Sequence, residues 1–113
     1  MAVIVYASDP PALLRAIQSA ATDGKMETWS MDSDGDFTHS PEQWRKKAWL
    51  RPKVADDRII FNIFPPQKTV MNKATYAVYH GRFVEMLLTH FDTQFQRAVA
   101  TALPTEGDRV RTQ

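Results

Sequence analysis

Arg58-Ile59-Ile60-Phe61-Asn62-Ile63-Phe64 is the stretch on which the fold turns. It is β-branched and aromatic, and Pro65-Pro66 ends it. Read as a strand, it puts Ile59, Phe61 and Ile63 on one side and Ile60 and Phe64 on the other, because side chains alternate along a strand. A strand that avoids water on both sides belongs inside a sheet and needs a cover on each face.

Upstream, residues 48–54 read as the partner of this strand in a hairpin, joined through Ala55-Asp56-Asp57. Pro52 has no N–H for a ladder, so that strand is expected at an edge or interrupted there. Before it stands a second turn signal, Ser33-Asp34-Gly35, between the extended runs 27–32 and 36–39. Asp-Gly there predicts a type I′ hairpin, with Trp29, Met31 and Phe37 turned inward. Ser40-Pro41-Glu42-Gln43 matches a capping box with proline at the first helical position, which predicts one short helical turn over residues 41–47.

Residues 2–7, Ala-Val-Ile-Val-Tyr-Ala, form another unalternating β-branched run. Asp9-Pro10-Pro11 opens a helix in which Leu13, Ile17 and Ala20 or Ala21 share a face, and Gly24 stops it. Downstream of Pro65-Pro66 the longest helix is expected over 72–91. Tyr76, Tyr79, Phe83, Met86, Leu87, His90 and Phe91 make its apolar stripe. Gly81 inside it suits a close approach to the sheet. Residues 95–103 alternate as a strand, and the polar residues 105–113 read as a flexible tail behind a single domain of residues 1–104.

The expected architecture is therefore α+β in the order β-α-β-β-β-β-α-β. A mostly antiparallel sheet of about five or six strands carries two main helices packed on one face. One helical layer leaves the other sheet face open, and a second copy of the chain is the expected cover.

The chain has 113 residues, 43% of them hydrophobic and 24% charged, and no cysteine. That is one domain-sized core, with no disulfide and no thiolate metal site. The start Met-Ala-Val-Ile-Val-Tyr-Ala-Ser-Asp lacks the basic region of a signal peptide, and no apolar run nears the roughly 20 residues of a membrane helix. A cytoplasmic protein is expected. The net charge of +1 hides an asymmetry: residues 1–43 hold seven acids and two bases, residues 44–113 twelve bases and six acids. The two regions are expected to be neighbours that neutralise each other, in preference to opposed charged faces seeking a partner.

The densest charge lies in residues 44–53, where Arg45, Lys46, Lys47, Arg51 and Lys53 stand among Trp44 and Trp49. Cations beside flat rings suit a nucleic acid, since the cations meet phosphates and the rings stack on bases. Successive side chains diverge, however, so Arg45, Lys46 and Lys47 cannot share one surface with both tryptophans. The favoured reading makes the tryptophans anchors and the cations solvated.

Asp32-Ser-Asp34-Gly-Asp36 opens like a calcium loop, but Phe37 and Gln43 stand where that loop needs glycine and a bidentate glutamate. No metal and no cofactor are expected. Nucleophile elbows and glycine-rich phosphate loops are absent, and Asp56-Asp57 reads as turn chemistry. Of the histidines, His90 falls in the apolar stripe. His80 is the better catalytic candidate, with Tyr76 one turn away, Arg82 at the rim, His39 as a further participant, and Glu85 or Asp92 as carboxylate partner.

Three functions follow, in order. The first is a small, non-enzymatic binding protein, homodimeric through a sheet face. The second is a nucleic-acid-binding module using Trp44, Arg45, Lys46, Lys47, Trp49, Arg51 and Lys53. The third is a small enzyme centred on His80.

Overall fold

The computed structural model describes residues 2–102. Its elements run β1 (Ala2–Tyr6), α1 (Pro10–Thr22), β2 (Trp29–Met31), β3 (Phe37–His39), β4 (Trp49–Val54), β5 (Arg58–Phe64), α2 (Lys73–Phe91) and β6 (Arg97–Ala100). The strands form one antiparallel sheet in the order β2-β3-β4-β5-β1-β6. The fold is α+β, as its sequence pattern predicts. No helix among the described residues is long and apolar enough to cross a membrane. The tail expected at 105–113, and Leu103 of the last strand, lie outside the described residues.

The odd-numbered residues of β1 and β5 point to the helices, as does Leu50 of β4. Val3, Val5, Ile59, Phe61 and Ile63 are buried with Phe37 and Leu50 in one core. Leu13 and Ile17 of α1 enter that core, as do Tyr79, Phe83, Met86, Leu87 and Phe91 of α2. Burial of such side chains contributes roughly 1.5–3 kcal/mol each, the main force holding the layers together.

Helix ends follow local chemistry. Asp9 caps α1 by accepting the Ala12 N–H at 3.2 Å, and Asn72 caps α2 by accepting the Thr75 N–H at 3.0 Å. After α1, Gly24 takes φ +72°, and Gly24 and Lys25 donate back to Ala21 and Ala20. That pair of bonds is the Schellman arrangement, which needs a left-handed residue.

Several local expectations change. The β2–β3 hairpin has no type I′ turn. Only Gly35 in that loop has positive φ, +83°, and Asp32 pairs with Asp36 around three residues. The Asp32 carboxylate accepts the N–H groups of Asp34 and Asp36, which favours a type I turn closed by a left-handed glycine. Residues 42–46 form a hydrogen-bonded turn and no helix. Trp44 and Arg45 both donate to the Pro41 carbonyl, and Lys46 then takes φ +59° and reverses the chain. Pro52 lies inside the sheet order, yet β3 meets β4 only at Leu50, so the flank of β4 beside Pro52 has no described neighbour.

The strand Arg58–Phe64 is half of what its composition predicts. Its odd residues are fully buried, while Ile60 and Phe64 are half-buried. On α2 two histidines exchange roles: His80 is buried and His90 is exposed. Gly81 is exposed too, and a Cβ placed on it meets nothing within 4 Å, so it serves no close approach.

Candidate functional site

Pairing brings together a surface that the linear sequence scatters. Trp49, Arg51 and Lys53 of β4 stand opposite Phe64, Asn62 and Ile60 of β5. Ile60 and Arg58 stand opposite Ile4 and Tyr6 of β1, which face Val99 and Arg97 of β6. All of these side chains share the sheet face turned away from the helices, by the alternation of each strand.

That face is built from rings with cations laid over them. Trp49 stacks on Phe64 with centroids 5.8 Å apart and planes 21° from parallel. The Arg51 guanidinium lies 4.8 Å above Phe64, and those of Arg58 and Arg97 lie 4.7 and 4.2 Å from Tyr6. Such contacts are attractive because a cation meets the negative face of the ring. Ile4, Tyr6, Trp49, Ile60 and Phe64 are half-buried under this roof, and Val99 is 42% exposed.

The basic segment therefore divides. Trp49, Arg51 and Lys53 join the helix-free face. Trp44 turns back against the core, and Arg45, Lys46 and Lys47 project into solvent from the turn before β4. A hydroxyl network fixes that division. Thr38 Oγ1 lies 2.9 Å from the Ala48 carbonyl and 3.0 Å from the Tyr79 hydroxyl, and it accepts the Lys46 N–H at 3.1 Å. Tyr79 O–H reaches the Trp44 carbonyl. Two hydroxyl protons serve three oxygen–oxygen contacts, so the loop is clamped by sharing.

The acidic hairpin tip is the neighbour of this segment. Asp36 is buried and takes Arg51 in a two-pronged ion pair. The Arg51 guanidinium is held more firmly protonated than usual, first by that hydrogen bond, then by the charges of Asp36, Asp34 and Asp32. Asp57 similarly grips Arg58 at 2.7 Å, which draws the Asp57 carboxyl below its ordinary range. Asp32, Asp34 and Asp36 lie within 4.8 Å of one another, but Arg51 and backbone N–H groups already occupy two of the three.

The histidine candidates separate. His80 is buried, donates Nδ1–H to the Tyr76 carbonyl at 2.7 Å, and packs edge-on to the Tyr76 ring. Its ring is held inside α2's own packing. His39, a secondary participant on sequence grounds, sits instead in a cleft of about 180 Å³ with Arg82, Glu85, Trp44 and Gln43. It is 4% exposed, and its Nδ1–H donates to the Thr28 carbonyl at 2.8 Å. Burial is the main cause that lowers its pKa from 6.5, with Arg82 adding to the effect and the Thr28 bond and Glu85 opposing it. Arg82 and Glu85 pair at 3.3 Å on successive turns of α2.

Sequence reasoning passed over Tyr6, Arg58 and Arg97. Their signal exists only across strands, since Arg58 and Arg97 flank Tyr6 from positions 52 and 91 residues away. No family model, curated protein or solved structure matches the chain.

Proposed function

We propose that the chain is a non-enzymatic binding protein that works through the helix-free face of its sheet, with a second copy of the chain as its partner. The observation that carries this reading is the composition of that face. Tyr6, Trp49, Phe64 and three arginines surround Ile4, Ile60 and Val99 in register across four strands. Aromatic residues and arginine are the types enriched where proteins bury surface against each other. Both helices pack into the core on the opposite face, so neither described helix forms a second layer over these rings.

Charge is mostly compensated on this face. Arg51 and Arg58 are neutralised by Asp36 and Asp57 of the same subunit. Among the described residues Lys53 and Arg97 have no ion-pair partner. Two copies meeting on this face would bring those cations near each other, so moderate salt should tighten the dimer.

Sedimentation velocity at roughly 50 µM tests the reading, a concentration at which micromolar association is plain. A dimer is expected, with Val99→Asp monomeric and unchanged in circular dichroism. A monomeric native chain would end it.

A second reading rests on one observation: Trp49, Arg51 and Lys53 emerge on a single face beside Tyr6 and Phe64, a layout suited to single-stranded nucleic acid. Binding of a single-stranded oligonucleotide would then weaken steeply with salt, opposite to the dimer. No complex at about 50 mM salt would remove this alternative.

A further inference from the structure

We infer that the cleft between the β2–β3 edge and α2 binds a small zwitterionic α-amino acid, its ammonium received by His39 and Glu85 and its carboxylate by Arg82. This site lies apart from the helix-free sheet face and stands independently of the dimer.

The floor of the cleft is His39. A carbonyl can only accept, so the bond to Thr28 places the ring proton on Nδ1 and leaves a lone pair on Nε2. The ring cannot turn away, because it packs against Trp29 at 4.7 Å and Tyr79 at 6.0 Å. Among the described residues Nε2 has no hydrogen-bond partner, although the side chain is 96% removed from solvent by its 4% exposure. His39 lines the cleft, so Nε2 is an acceptor open to whatever occupies it and can take a donor from a ligand there. The lowered pKa keeps that acceptor available at neutral pH.

The rim sets the charge of the ligand. Arg82 and Glu85 touch through long contacts of 3.3 and 3.4 Å, and their side chains are 56% and 64% exposed. Such a pair holds little energy and can open toward a ligand. An anion alone would meet Glu85 and a cation alone would meet Arg82. A molecule with an ammonium beside a carboxylate satisfies both, the carboxylate fitting the planar guanidinium fork. The ammonium has three N–H donors, enough for Nε2, for Glu85 and for one further acceptor.

Size narrows the class. A volume of about 180 Å³ is the liquid share of about six waters. That admits the five or six heavy atoms of glycine or alanine, and a longer side chain would have to lie out along Trp44.

The test is a titration of the full chain with glycine, read from the imidazole nitrogen shifts of His39. Acetate and methylamine, each carrying half of the zwitterion, are the controls. A saturable change at Nε2 is expected with a midpoint of about millimolar, the scale for a ligand this small. Arg82→Gln and Glu85→Gln, both on the surface, should each weaken it about tenfold or more. No saturable change up to about 100 mM glycine would overturn the inference, as would acetate or methylamine saturating as well as glycine.

Discussion

Arg51 closes on Asp36 through two parallel hydrogen bonds, Nε to Oδ1 at 2.9 Å and Nη2 to Oδ2 at 2.8 Å. Asp36 is 2% exposed and Arg51 is 51% exposed, so the carboxylate is inside and the guanidinium is its lid. The pair ties the tip of the β2–β3 hairpin to β4, where only one residue pair, Phe37 with Leu50, otherwise aligns the two strands. Removing Arg51 strands a buried charge. Arg51→Ala should therefore cost about 2 kcal/mol, below the roughly 3–5 kcal/mol of a fully buried pair because the guanidinium is half in water. The urea midpoint would fall at constant slope. Arg51→Lys should recover only part of the loss, since an ammonium cannot make the fork. A cost below about 0.5 kcal/mol for Arg51→Ala would show that Asp36 finds water instead.

Tyr79 is fully buried and its hydroxyl serves both Thr38 and the Trp44 carbonyl. Tyr79→Phe keeps the packing and removes only the oxygen. It should lower stability by about 1–2 kcal/mol, the usual cost of leaving buried partners unpaired. Amide exchange should quicken at Lys46, whose N–H depends on Thr38 being held. Unchanged stability would mean that Thr38 and Trp44 satisfy each other without the phenol.

Gly81 sits in mid-helix, exposed, with open space where a side chain would go. Gly81→Ala should stabilise the protein by about 0.5–1 kcal/mol by restricting the unfolded chain and favouring helix. Thermal unfolding should rise by about 4 °C for that gain in a domain of this size. A fall would reveal a ligand or partner backbone pressed against that helix face.

His39 makes stability depend on pH. Its folded pKa lies below 6.5, so between that value and 6.5 the unfolded chain binds more protons than the folded one. Stability then rises with pH through this window. His39's contribution is complete above about pH 6.5 and is lost as pH falls toward the folded pKa. Comparing His39→Gln with the native chain between about pH 5 and 7.5 isolates this effect from the other histidines. The variant should show the shallower fall. Identical slopes would contradict a desolvated imidazole.

Much of the fold was legible because it rests on local rules. Pro10 behind Asp9, Gly24 behind Ala21 and Asn72 before α2 act through bonds within four or five residues, and each is where its chemistry asks. The alternation of residues 58–64 likewise named the buried row of Ile59, Phe61 and Ile63. His90 was expected in the buried stripe and is exposed for a different reason. His80 and His90 both lie near the apolar stripe of α2, and which one is buried depends on how far the sheet extends beneath the helix. The cleft was missed because His39 belongs to β3 and Arg82 and Glu85 to α2, with nothing in the spacing to join them.

By itself, then, the order of residues determined the eight described strands and helices in sequence, the caps of the two helices and one face of the core, since those follow from short-range hydrogen bonding and side-chain period. The turns at 33–35 and 41–47 came out otherwise. Only tertiary structure decided that Trp49 and Arg51 lie over Phe64, which histidine meets a cleft, and that Arg58 and Arg97 close on Tyr6. Those depend on strand order and register, which are set by burying the whole apolar set at once and leave no local trace in the chain.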